Sequence, residues 1–163
     1  ELAHSHSDRF RAVIGLEATA FAPSRDFDYF GHPKIDQEVM RPEWAYSFQA
    51  PQSPERFKRE AWWIYSQAGH GTFSGDLYFY GSDWDAREFL VDIDTDACGV
   101  YLMTGEYDFS ATPADTRSAA EKIDGAYFQE LPEMGHFPMA EDPDAFTEHL
   151  FPVLEDILDS QDT

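Results

Sequence analysis

The sequence predicts an α/β fold: a parallel sheet whose strands alternate with helices, carrying a mainly helical, aromatic-rich insert. Three observations lead there. Apolar runs of strand length stand at 11–18, 98–108 and 126–134. Helices with start signals follow the last two runs. The stretch from 21 to 90 has a different texture, crowded with aromatic side chains. Strands that alternate with helices imply parallel pairing through right-handed crossovers.

Each element has its own signal. Glu1, Leu2 and Ala3 read as the last turn of a helix, and "RAVIGLEA" (11–18) as a short strand. Pro23 and the charges of "SRDFDYFGHPK" mark an irregular excursion. Within the insert, Ser53 can cap a helix with Pro54 in its first position and Glu55 favoured by the dipole. Phe57, Ala61, Ile64 and Tyr65 then recur at helical spacing until Gly69. "CGVYLMTGEYD" (98–108) is apolar without alternation, as in a strand buried on both faces. Thr112, Pro113 and Asp115 open a helix that Gly125 is expected to stop. "AYFQELPEM" is a third strand. Asp142 and Pro143 open a last helix with Phe146, Leu150, Leu154, Ile157 and Leu158 on its apolar face, and Pro152 is expected to kink it.

Composition narrows function. At 163 residues, 42% of them hydrophobic, the chain can bury the core of one ordinary domain. Thirty-two Asp and Glu against eleven Lys and Arg give a net charge of −21, which repels phosphate and anionic lipid. Neither nucleic acid nor a membrane is therefore expected as a partner. The single cysteine, Cys98, excludes an internal disulfide and reads as a buried, inert thiol. No run approaches a membrane span and no signal segment is visible, so a cytoplasmic home is the default expectation.

In open parallel sheets, functional side chains gather beyond the C-terminal ends of strands. Asp108 closes the run "VYLMTGEYD", and His136 follows "AYFQELPEMG". If the two strands are neighbours, a carboxylate and an imidazole emerge at one edge. A carboxylate fixes the tautomer of a histidine, which can then carry a proton for a nucleophile. His4 and His6 in "HSHSD" lack a third ligand nearby, so no metal is expected, and no cofactor either. His32 and His149 read as surface residues. Trp62, Trp63, Tyr65 and His70 are weak candidates for contact with substrate, against a purely structural role within the insert. Phe137 and Met139 flank His136 and are expected to shape a pocket floor.

The stretch "VYLMTGEYD…TPADTRSAAEKIDGAYFQELPEMGHFPMAEDPDAFTEHLFPVLEDIL" resembles the C-terminal third of an α/β-hydrolase, "MGHFPMAEDPDAF" most specifically. In that superfamily the acid commonly follows the penultimate strand in a Gly-x-x-Asp setting, here Gly105 to Asp108. The histidine follows the last strand after a glycine, here Gly135 and His136. The order of acid before histidine agrees. "ELAHSHSDRFRAVIGLEA" resembles the end of the helix behind the nucleophile elbow and the sixth strand. The resemblance thus implies a partial α/β-hydrolase fold. Residues 1–20 would give the end of that helix and the sixth strand, 21–90 an inserted cap, and 91–163 the C-terminal part of the core. Some members place the acid after the sixth strand, which makes Glu17 the alternative to Asp108.

No Gly-x-Ser-x-Gly elbow occurs; Ser5 lies too near the first strand, and Ser74 has the wrong glycine spacing. The resemblance therefore implies that the nucleophile lies upstream, on an N-terminal hydrolase half acting as partner, and that the chain alone is inactive. With a serine nucleophile the expected substrate is a small to medium apolar ester, lactone or related carbonyl compound. With an aspartate the enzyme would be an epoxide hydrolase or haloalkane dehalogenase. A non-catalytic binding subunit is the third possibility.

Overall fold

The structure is a computed structural model, and it describes residues 1–22, 42–69 and 72–160, without the side chains of Ser74 and Leu77. The irregular excursion at Pro23, His32 and His70 lie outside the described residues.

Three strands form one parallel sheet in chain order: β1 (Ala12–Leu16), β2 (Gly99–Gly105) and β3 (Tyr127–Leu131). Ala12 aligns with Gly99, and Tyr101 aligns with Tyr127, so the C-terminal ends of all three strands meet at one rim. Side chains alternate between the faces of β2, and both faces are covered. Val100 and Leu102 enter one apolar cluster with Ala3, Leu90, Ile93, Ala119, Ala120 and Ile123. Met103 enters the other with Leu131, Met134, Phe146, Val153 and Ile157. That two-sided burial is why β2 reads as a continuous apolar run. Cys98, fully buried, sits just before β2 in the first cluster. Among the described residues β1 pairs with β2 alone, leaving its other edge without a strand.

Helices cover the two faces. A single turn, α1 (Leu2–Ser5), buries Ala3. Between β1 and β2 lie α2 (Pro42–Ser47), α3 (Glu55–Tyr65) and α4 (Thr72–Tyr78), the last running into a π turn over Phe79–Asp83. The chain leaves β1 and comes back at nearly the same place. Phe21 bridges Asp85, Ala86 N–H donates to Ala20 at 2.8 Å, and the Trp84 indole donates to Thr19 O at 3.0 Å. After β2 comes α5 (Pro113–Ala120), capped as the sequence indicates: Thr112 Oγ1 accepts from Asp115 N–H at 3.2 Å. After β3 come the short α6 (Pro138–Glu141) and the long α7 (Pro143–Asp159), where Asp142 accepts from Ala145 N–H at 3.2 Å.

Several expectations are corrected. Ser53 does not cap α3; its hydroxyl donates to Glu141 at 2.8 Å, and Pro54 takes the N-cap position instead. Gly125 does not stop α5, which ends at Ala120; its φ of +76° serves the turn into β3. Ile64, Leu154 and Leu158 face solvent, because α7 turns Phe146, Val153 and Ile157 inward and α3 turns Ala61 inward. Pro152 does lie inside α7, as the sequence has it, and is exposed, so the missing N–H falls on the water side where a carbonyl can be solvated. His149 is half-buried rather than on the surface, and its Nδ1 meets the Gln129 amide at 2.9 Å, tying α7 to β3.

Candidate active site

The loops after β2 and β3 are braced against each other before any functional group is considered. Glu106 N–H donates to Leu131 O and Tyr107 N–H to Met134 O, both at 2.9 Å. Glu133, at φ +59°, donates its N–H to the Glu106 carboxylate at 2.8 Å. Gly105 lies so close to the Gly135 carbonyl that a Cβ there would collide with it. Glycine at 105 is what lets the two loops touch, whereas glycine at 135 makes room for the backbone of Phe48–Ala50.

Asp108 is held within this brace. Its Oδ1 accepts from Ser110 N–H at 2.7 Å and from Ala111 N–H at 3.1 Å. Thr104, fully buried on β2, donates to Ala111 O at 3.0 Å and fixes the far side of the same turn. Oδ2 is left for the imidazole: His136 Nδ1 lies 2.8 Å away. The Asp108 side chain is wholly buried, whereas that of His136 is 25% exposed. The pair therefore has a dry end at the acid and an open end at the ring. An acceptor on Nδ1 selects the tautomer with the proton on that nitrogen, which leaves Nε2 as the free lone pair.

Aromatic rings surround the open end. Phe137 meets the imidazole edge-on at 4.7 Å between centroids, and Phe48 does so at 6.0 Å. Phe109 packs edge-on against Phe48 at 4.6 Å, and Tyr65 leans on Phe137 at 5.1 Å. Of the residues singled out in the sequence, Tyr65 and Phe137 come together around His136. Trp63 is 58% exposed and stacks on half-buried Trp62, and Met139 is 41% exposed. Phe48 and Phe109 were missed. Phe109 could have been found from its place directly after Asp108.

Glu17 does not replace Asp108 as partner of the imidazole. It sits at the end of β1 with φ +50°, and its Oε1 is buried without a hydrogen-bond partner. Burial, reinforced by the negative charge of Asp108, pushes its carboxyl up to about 9, so it holds its proton at neutral pH. Three carboxyl groups thus lie near the rim with different jobs: Asp108 accepts from the ring, Glu17 is neutral, and Glu141 accepts from backbone and from Ser53. A cavity of about 500 Å³ lies at the opposite, N-terminal ends of the strands, lined by Arg11, Gly99, Tyr101, Tyr127 and Asp156. It is remote from the dyad. Among the described residues no group of three His, Cys, Asp or Glu converges to hold a metal, and no helix is long and apolar enough to cross a membrane.

Solved structures share this architecture. A thermophilic esterase from Thermogutta terrifontis superposes with a TM-score of 0.73 at 16% identity, over 95% of this chain and 59% of its own. The enol-lactonase from Burkholderia xenovorans gives 0.71 at 21% identity, over 94% and 60%. An α/β fold family hydrolase from Bacillus anthracis gives 0.63 at 18%, over 97% and 61%. The fold is therefore that of the α/β-hydrolases, present in part: the chain spans about three-fifths of the length of these structures. No protein-family model matches the sequence, and no curated protein matches it.

Proposed function

We propose that the chain supplies the acid and the histidine of a Ser-His-Asp hydrolase, with the nucleophile on a preceding hydrolase half that completes the sheet at β1. The observation that carries this reading is the 2.8 Å contact between a buried Asp108 and the Nδ1 of a partly open His136, at the C-terminal rim of a parallel sheet. The edge of β1 that no described strand pairs with is where a neighbouring strand would add.

In this scheme His136 Nε2 takes the proton of the serine hydroxyl as its oxygen attacks the substrate carbonyl. It returns that proton to the leaving alcohol and then repeats both steps with water. Asp108 orients the ring and stabilises the imidazolium. Residues 21–90 form the cap, an assignment supported by the adjacent entry and exit of that segment at Phe21 and Asp85. Phe48, Tyr65, Phe109 and Phe137 then make an apolar approach to Nε2, which suits a small to medium ester or lactone. The fold-mates above include an esterase and an enol-lactonase, which favours the acyl-transfer reading. A cytoplasmic setting suits the lone buried thiol.

The test pairs this chain with an N-terminal α/β-hydrolase half bearing a Gly-x-Ser-x-Gly elbow and follows release of nitrophenol from short-chain esters. The chain alone is expected to be silent, and the pair active. His136→Ala should lower the rate of the pair by about a thousandfold or more. Turnover that survives this substitution rejects the reading.

A further inference from the structure

Glu141 is buried completely, at the end of α6, five residues after the histidine. It is not a spare acid: it accepts four hydrogen bonds, and they come from two different parts of the chain. Oε1 takes Gly135 N–H at 2.7 Å and Phe137 N–H at 3.3 Å, the two residues that flank His136. Oε2 takes the Ser53 hydroxyl at 2.8 Å and the Ala50 N–H, both from the segment between α2 and α3. The remaining backbone donor of the histidine loop goes the same way, since His136 N–H donates to Phe48 O at 2.9 Å. Gly135 lies so close to Phe48 O and Ala50 N that no Cβ fits there.

From this geometry we infer that Glu141 is a positioning residue that makes His136 and the base of the cap a single rigid piece, so that the placement of residues 48–53 sets whether the imidazole faces Asp108. Asp108 orients the ring from the sheet side; Glu141 orients its backbone from the cap side. A carboxylate suits this place because all four partners are donors, and an acceptor-only group with two oxygens satisfies them in pairs. Glutamine cannot do the same, because its amide nitrogen would face N–H donors on one of the two sides. The inference rests on the reading of His136 as proton carrier for its importance, but not for its test.

That test uses the nitrogen-15-labelled chain and reads the proton on His136 Nδ1, whose resonance is expected far downfield because of its bond to Asp108. In Glu141→Gln its exchange with water is expected to quicken about tenfold, as one charge-assisted buried bond pair is lost. The amide signals of Ala50, Gly135 and Phe137 should shift with it. Ser53→Ala removes one bond of four and should give the same pattern at about two- to threefold; it carries the test if Glu141→Gln fails to fold. Glu141→Gln or Ser53→Ala that lowers the melting temperature but leaves the Nδ1 proton and its exchange unchanged makes Glu141 a merely structural residue and overturns the inference. Failure of the functional reading shows separately, as turnover by the assembled enzyme that survives His136→Ala while the Nδ1 signature still depends on Glu141.

Discussion

The loops that follow β2 and β3 and the helical segment between β1 and β2 are built by different rules. In the loops polar side chains bind neighbouring backbone and one another: Glu106 holds Glu133, Thr104 holds Ala111, and Asp108 holds Ser110, Ala111 and His136. The helical segment keeps large apolar surfaces in water, among them Trp63, Ile64, Tyr78, Phe79 and Tyr80. It is tied to the loops chiefly where Phe48, Ala50 and Ser53 meet His136 and Glu141. Chemistry that needs a donor and acceptor at fixed separation sits in the braced region. The rings around His136 come from both, and under the proposed function an apolar substrate would need only about the right shape from them.

The sharpest way to break this contrast is Gly105→Ala. Its new methyl group would strike the Gly135 carbonyl, a backbone atom that cannot swing aside. A loss of about 3 kcal/mol or more is expected in denaturant unfolding, with the His136–Asp108 contact disturbed. A loss below 1 kcal/mol would show the two loops to be less tightly joined than their bonding implies.

Glu17 tests the border between the regions. Its folded-state value, about 9, lies above the ordinary 4.5, so the native state keeps a proton that the unfolded chain gives up. Its effect on stability is therefore nil below about pH 4.5 and grows more unfavourable as pH rises from there toward 9. Glu17→Gln should match the parent at pH 4 and exceed it by up to about 3 kcal/mol at pH 7, measured by paired denaturant melts. Equal stabilities at both values would mean that another group neutralises Glu17.

The smallest effect is expected in the exposed face of α3. Trp63→Ala and Ile64→Ala should change unfolding free energy by no more than about 0.5 kcal/mol each, since both side chains lie mostly in water. A larger loss would place that face against something else.

Much of the fold is legible in the sequence because its signals are local. The caps at Thr112 and Asp142 and the two-sided apolar run of β2 each declare themselves within a few residues. Asp108 and His136 are legible because both immediately follow a strand, and parallel pairing of β2 with β3 is enough to bring them to one rim. What was hidden is whatever depends on distant chain. Ser53 looks like a helix cap because its proper partner, Glu141, is 88 positions away. Glu141 looks like one more acid on an acidic chain, the first of the run Glu141, Asp142, Asp144, and nothing local sets it apart from them. The inward face of α7 was misread because Leu154 and Leu158 suit the helical period as well as Val153 does, and only the position of the sheet decides between them.

Cys98, walled in where the first cluster meets the entry to β2, gives the molecule a built-in reporter. Burial raises its thiol above the usual range, so in the native state it is both shielded and poorly nucleophilic. An alkylating reagent can reach it only when the cluster around it opens, and the rate of labelling therefore counts those openings. One thiol, with no second cysteine in the chain, turns that breathing into a quantity read by mass alone.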